Sequence, residues 1–255
     1  MLQQLDLRGR TRAAAIHALI SAAMAAAAAC LVFGFWYPGI YRQVAGGREL
    51  FLLVVSVDVV LGPILTFAVF NIKKSWPHLR RDLAVIGTIQ LAALVYGLAT
   101  VHSVRPVAMV FETDRFRVIT VAQVEMAELS KARPEYRHLP LTGPWLLGTR
   151  AAQRGDESND ALFKGLRGID VAQRPQFWQP YADSTAQALA RARPLATLLA
   201  KYPALSGDVK AKLQELKVDE PSAKFLPLMG RGGDWVVILD SAGRLVHYVQ
   251  AEGFF

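Results

Sequence analysis

Three long apolar runs fill most of the first 104 residues, and short alternating or mixed blocks follow them. The runs lie at about 13–36, 50–70 and 83–104. Each reaches the roughly 20 residues that a helix needs to cross the hydrocarbon of a bilayer. The pattern therefore predicts a membrane domain over residues 1–104 with three transmembrane helices. A separate α+β domain is expected over 105–255.

The first run has features of a cleaved leader. Arg8, Arg10 and Arg12 precede it, and three alanines lead into Cys30 in the manner of a lipoprotein signal. It nevertheless stays apolar beyond Cys30 and leaves through Phe35-Trp36-Tyr37, whose amphipathic rings suit headgroup depth. The reading is an uncleaved helix.

The second run carries an aspartate, Asp58, in its interior. A carboxylate there costs about 2.5–3.5 kcal/mol on insertion scales. Pro63, five residues on, cannot donate to the carbonyl of Val59 and loosens the helix beside the charge. Counted from the outer ends of their runs, Asp58 and Tyr96 lie at similar depth, which places the Tyr96 hydroxyl to donate to Asp58. Ser56, Thr66 and Gln90 add polar groups, and the alanines of residues 22–29 smooth the first helix for close packing. Three roles for Asp58 stay open: glue among the three helices, a docking point for a partner's membrane helix, and part of a proton or ion path. A single carboxylate without a file of polar neighbours is a poor relay.

Charge sets the expected orientation. Arginines crowd the N-terminal tail, and Lys73, Lys74, Arg80 and Arg81 fill the 71–82 loop, whereas the loop before the second run has only Arg42 and Arg48. Lys and Arg are retained in the cytoplasm, so the tail and the 71–82 loop are expected inside. Three passes then put residues 105–255 outside, in the periplasm of a bacterium whose inner membrane holds the spans.

The outer domain opens with two strands, at 107–111 and 116–121, joined by Glu112-Thr113-Asp114-Arg115. Helical spacing follows over 121–131. The Pro- and Gly-rich stretch 134–181 reads as ordered loop with one helix around Phe163, Leu166 and Ile169. A helix from Asp183 or Ser184 to about 199 is expected to kink or split at Pro194, and another covers 207–216. Strands at 224–228, 234–239 and 244–249 close the chain. The last two form an antiparallel hairpin through Asp240-Ser241-Ala242-Gly243.

Overall charge is +8, but the excess is uneven. Nine Lys/Arg face four acids in residues 1–104, and twenty face seventeen in the rest. The basic surplus thus sits beside the membrane, and no basic, aromatic-interleaved surface points to nucleic acid. A single cysteine excludes an intrachain disulfide, and the five histidines lack metal-ligand spacing. No G-x-S-x-G is present, and Gly230-Arg231-Gly232-Gly233 leads into a strand rather than a phosphate-binding helix. Asp156, Glu157 and Asp160 read as solvated loop charge. No cofactor, metal or enzyme activity is expected.

Several longer strings carry a family likeness. Trp36-Tyr37-Pro38-Gly39, Gly46-Gly47-Arg48-Glu49-Leu50 and Val57-Asp58-Val59-Val60-Leu61-Gly62-Pro63 are followed by Phe111-Glu112-x-Asp114-Arg115-Phe116 and Leu139-Pro140-Leu141-Thr142-Gly143-Pro144. Over most of residues 30–180 the chain resembles the TfpX/TfpZ family of type IV pilin accessory proteins. The resemblance implies an inner-membrane chaperone or assembly factor for a cognate type IV pilin, with other pilus assembly proteins and membrane lipids as further neighbours. In that setting Asp58, Pro63 and Tyr96 are candidates for contact with the pilin's membrane helix. Glu112, Asp114, Arg115, Thr142, Gly143 and Pro144 are candidates for recognising its head, or simply for shaping a turn and a rigid loop. A membrane-anchored sensor or binding module unconnected with pili is the competing class. It would need a cytoplasmic output module, and only a short tail and loop lie inside.

Overall fold

A computed structural model describes residues 7–71 and 74–255 of the chain; Lys73 of the basic loop lies outside the described residues. Two compact units emerge. Among the described residues, one comprises 7–38, 47–71 and 74–103, the other 39–46 and 104–255.

The first unit contains three helices long and apolar enough to cross a membrane: α1 (Leu7–Trp36), α2 (Gly47–Val69) and α3 (Trp76–Ser103). α1 begins earlier than the apolar run because Arg8, Arg10 and Arg12 continue the helix. Large apolar side chains, such as Leu19, Leu53 and Ile89, face outward on all three. A helix that is apolar all round is at home in an apolar solvent rather than water.

α2 is not a uniform α-helix. Its segment Val57–Leu61 winds as a π-type turn between two α segments, with Pro63 just inside the second. The last turn of α1, Val32–Trp36, is also π-wound. Beyond it Tyr37 is fully buried, and its hydroxyl donates to the Val101 carbonyl at 3.1 Å. A Cβ on Gly47 would run into the Tyr37 ring, so glycine is required where the second span begins.

The second unit is built on one eight-stranded mixed sheet. Its strands are β1 (Pro106–Glu112), β2 (Arg115–Thr120), β3 (Trp145–Thr149), β4 (Trp178–Pro180), β5 (Arg193–Pro194), β6 (Lys224–Gly230), β7 (Gly233–Leu239) and β8 (Leu245–Gln250). They run β4-β3-β1-β2-β6-β7-β8, with β5 on the side of β6. Pairs β1–β3 and β2–β6 are parallel, and the others are antiparallel. Every residue of β1 is buried, as befits a central strand. Besides the one-turn helix Tyr41–Val44, four α-helices complete the unit: α4 (Asp156–Leu166), α5 (Thr185–Arg191), α6 (Leu195–Lys201) and α7 (Ser206–Glu215). Leu195 and Leu198 of α6 and Val209 and Leu213 of α7 pack on Phe225, Val236 and Ile238 to form one core. A second core joins Val107, Val110, Ile119 and Leu147 to Tyr136 and Trp178.

The structure departs from the sequence pattern in two stretches. Residues 121–131 form two 3₁₀ turns, Val121–Gln123 and Met126–Lys131, not one helix. Glu125 between them donates its N–H to Gln173 instead of to a helical carbonyl. β3 and β4 lie within the stretch expected to be loop, and Ile169 falls beyond α4, after the left-handed Gly168. As expected, the helix reaching residue 199 splits at Pro194 into α5 and α6, with Pro194 held in β5. Gly243 takes φ +77° in the terminal turn.

The glycines of Gly230-Arg231-Gly232-Gly233 have a packing reason. Segment 39–46 lies against this β6–β7 turn, with the Gly232 N–H on the Val44 carbonyl at 2.9 Å. Side chains at Gly230 and Gly232 would run into the backbone carbonyls of Val44 and Gln43.

One buried ion cluster fixes α4. Arg174, fully buried, donates through Nε to both Glu128 oxygens at 3.0 and 3.1 Å and through Nη2 to Glu128 and Asp160. Lys164 adds a bond to Glu128 at 2.7 Å, and the Phe177 ring lies under the Arg174 guanidinium. Removing one member of such a cluster strands the others in a poorly solvated site. Arg174→Met should therefore lower unfolding stability by about 3–5 kcal/mol, the range for broken buried pairs. Denaturant unfolding monitored by tryptophan fluorescence would measure it.

Candidate functional site

The membrane unit gathers its polar side chains in one place. Asp58 is only 8% exposed. In the π register the carbonyl of Asp58 would take its hydrogen bond from the N–H of residue 63, five positions on. That residue is Pro63, which has no N–H. Gln90 of α3 fills the gap, its Nε2 donating to the Asp58 carbonyl at 3.0 Å. Gly62 leaves the space for this approach, since a Cβ there would collide with the Gln90 amide.

Further polar contacts join the other helices. His17 of α1 shares a hydrogen bond with the buried Thr66 of α2, Nδ1 to Oγ1 2.5 Å. Ser56 turns back on its own helix, donating to the Leu53 carbonyl. Gly97 of α3 admits Val54 of α2, which a Cβ would strike. These are the devices expected where no hydrophobic effect drives helices together: small residues and interhelical hydrogen bonds.

Tyr96 is not among them. Its side chain is 77% exposed, and Asp58 gains Gln90 as a neighbour instead. The inward face of α3 is Leu79, Ile86, Leu94, Gly97 and Val101, at helical spacing with Gln90. Tyr96 is about 9 Å along the axis from Gln90 and points elsewhere. Counting depth from run ends missed this, because the loops set the register between helices.

In the outer unit, the sequence-derived candidates separate into two settings. Glu112 is buried at the end of β1, accepting from the Ala172 N–H at 3.0 Å and lying 3.1 Å from Arg117 Nε. Arg117 also meets Asp170 at 2.6 Å. Burial pushes the Glu112 carboxyl up, and Arg117 and the Ala172 N–H pull against that. Asp114 and Arg115 form a local ion pair of 2.7 Å in the β1–β2 turn, where Thr113 takes φ +53°. Thr142 is exposed and Gly143 is left-handed, in a bend that enters β3 through Pro144. The structure does not bring Thr142, Gly143 and Pro144 together with Asp114 through any hydrogen bond or ion pair among the described residues.

The sequence reading missed the most exposed apolar row of this unit. Leu162, Phe163 and Leu166 of α4 are 62%, 62% and 77% exposed. The opposite side of the helix is tied down by Asp160 and Lys164 in the Arg174 cluster and by the Glu157–Arg150 pair at 2.7 Å. Arg150 bonding holds the Glu157 carboxyl down to about 2. Spacing i, i+1, i+4 was visible, but burial of its partners was not. Among the described residues no group of three or more His, Cys, Asp or Glu is arranged to hold a metal ion.

Comparison with known proteins gives a consistent picture. Residues 5–46 match the family described as fimbrial assembly protein FimB. Two fimbrial assembly proteins of Dichelobacter nodosus, of serogroups E1 and I, are 36% and 37% identical over 241 residues, covering 94% of each chain. A third, of serogroups C1 and C2, is 39% identical over 117 residues, 46% of this chain and 89% of its own. No solved structure matches.

If Gly62 exists to admit Gln90, changes at the two sites should not add. Gln90→Leu and Gly62→Ala should each lower stability by about 1 kcal/mol, and the double variant by little more than one of them. Thermal unfolding of the purified protein in one detergent, run as a double-mutant cycle, measures the coupling.

Proposed function

Since this chain belongs to the fimbrial assembly protein family, we propose that it acts in the assembly of type IV fimbriae, as a membrane-bound helper for a cognate pilin. The full-length likeness to two fimbrial assembly proteins carries the reading. The narrower likeness to the TfpX/TfpZ accessory proteins supports a pilin-specific role. Family membership also favours a non-enzymatic task.

The build of the protein suits such a client. A pilin before assembly is an apolar helix in the membrane with a globular head outside it. The three spans offer a helix-sized partner surface with Asp58 and its neighbours in its interior. The outer unit offers the head a separate surface, for which the exposed Leu162, Phe163 and Leu166 are better candidates than Glu112, whose carboxylate is engaged within its own fold.

The orientation we propose is three passes of the bacterial inner membrane, N-terminus in the cytoplasm and residues 105–255 in the periplasm. The distribution of Lys and Arg supports it. The packing of segment 39–46 against the β6–β7 turn fits three passes in either direction, since it keeps the linker after span one on the same side as residues 105–255.

Asp58→Ala tests the membrane contact. At equal abundance of the helper, recovery of pilin on co-purification should fall severalfold, and unchanged recovery would leave Asp58 as glue within the helices. Exchange of residues 105–255 between two relatives that serve different pilins tests head recognition. Pilin specificity, read as surface pili in a deletion strain, should follow the exchanged domain.

A further inference from the structure

The three spans are unevenly packed. α1 contacts α2 at Phe33–Phe51 and along its second half, and α3 contacts α2 along its length. α1 and α3 meet at one end, where the Trp36 and His102 rings lie 4.9 Å apart. Between them lies a cavity of about 220 Å³. Its polar lining is His17, Ser21, Asp58 and Gln90, and its remaining walls are mostly apolar, including Met24 and Leu94. Neither lysine nor arginine lines it.

Two buried acceptors in that lining lack donors, Asp58 Oδ1 and Gln90 Oε1. Gln90 has spent its amide on the Asp58 carbonyl, so its oxygen is turned to other partners. An unpaired carboxylate in an apolar site is costly unless a cation or donor meets it.

We infer that this cavity binds a protonated primary amine carried on an apolar chain. An ammonium group brings three N–H donors, enough for both acceptors and the Ser21 hydroxyl, and its charge matches the carboxylate. The apolar chain lies against Met24, Leu94 and their neighbours. An anion is repelled by Asp58. Calcium needs six to eight oxygen ligands, more than this lining supplies. A neutral alcohol offers one donor and no charge.

Such an amine has two sources, an ethanolamine lipid headgroup and the free amino end of an apolar peptide. Asp58 lies midway along α2, about 16 Å from either end at helical rise. That depth favours the peptide end over a headgroup at the membrane surface. The inference shares Asp58 with the docking reading above and goes beyond it in naming the ligand's chemistry.

The test uses the full chain in nanodiscs of phosphatidylglycerol, with n-hexylammonium as the probe and saturation-transfer NMR as the readout. Hexan-1-ol and hexyltrimethylammonium are controls that lack the charge or the N–H donors. Saturable binding of hexylammonium alone is expected, weakened about tenfold or more by Asp58→Asn, the scale of a lost charge-assisted bond. Gly87→Leu provides a second variant. Gly87 lines the cavity, and a Cβ there meets nothing within 4 Å, so the change should fill the space, leave the fold intact and abolish binding. Equal binding of all three probes, no saturable binding, or binding unaltered by both variants would overturn the inference. Competition by added phosphatidylethanolamine would assign the lipid source. Competition by a short apolar peptide, lost when its amino end is acetylated, would assign the peptide. Amine binding with unchanged pilin recovery in Asp58→Ala sinks only the docking reading, and the reverse result sinks only this one.

Discussion

Hydrocarbon offers a backbone carbonyl no partner, and the second span contains a proline that withholds one. Every backbone polar group in a membrane-spanning segment must be satisfied from within the protein. Pro63 breaks that rule locally, and the π-wound Val57–Leu61 shifts the break onto the carbonyl of Asp58. Gln90 reaches across from α3 to mend it, and Gly62 is small because Gln90 must pass. Asp58, Gly62 and Pro63 on α2 and Gln90 on α3 thus form one device. It fixes the register of α3 against α2 more tightly than apolar packing could, since lipid tails compete equally well for apolar surface.

That register has a cost in exposed acceptors. With its amide committed to the backbone, Gln90 presents an oxygen, and Asp58 presents a carboxylate oxygen, to the same cavity. Satisfying the backbone and leaving two side-chain acceptors open are consequences of one arrangement. The aspartate is therefore more than an energetic oddity in a membrane helix. It stands at a point where α1, α2 and α3 together leave room.

Much of this was legible in residue order, and the reasons for the remainder are physical. The spans follow from run length alone, and Pro63 pointed to a disturbed helix beside Asp58. The partner of that disturbance was not readable. Tyr96 was chosen by depth, yet the inward face of α3 is set by Leu79, Ile86, Leu94, Gly97 and Val101, and Gln90 belongs to it. In the outer unit, the terminal strands alternate clearly enough to be read, whereas β3 and β4 are short, flanked by Pro and Gly, and become strands only because β1 is beside them. The Arg174–Glu128 bond spans 46 residues of sequence, and nothing local to either residue announces it. The same cluster explains why α4 holds an apolar row outward: its charged side is already used.

The membrane unit is held together through α2. His17–Thr66 ties α1 to it, and Gln90–Asp58 with the Gly97–Val54 contact ties α3 to it. α1 and α3 touch through the Trp36 and His102 rings at one end and are parted by the cavity farther along. Whatever enters the cleft between them touches all three helices and adds the contacts the unit lacks. Van der Waals packing and hydrogen bonds drive helix association in lipid, so such an occupant gains affinity from the same shortage. Under the proposed role, a helper that holds a pilin would gain from this arrangement. Its own fold is secured by α2, while its unfilled side stays available.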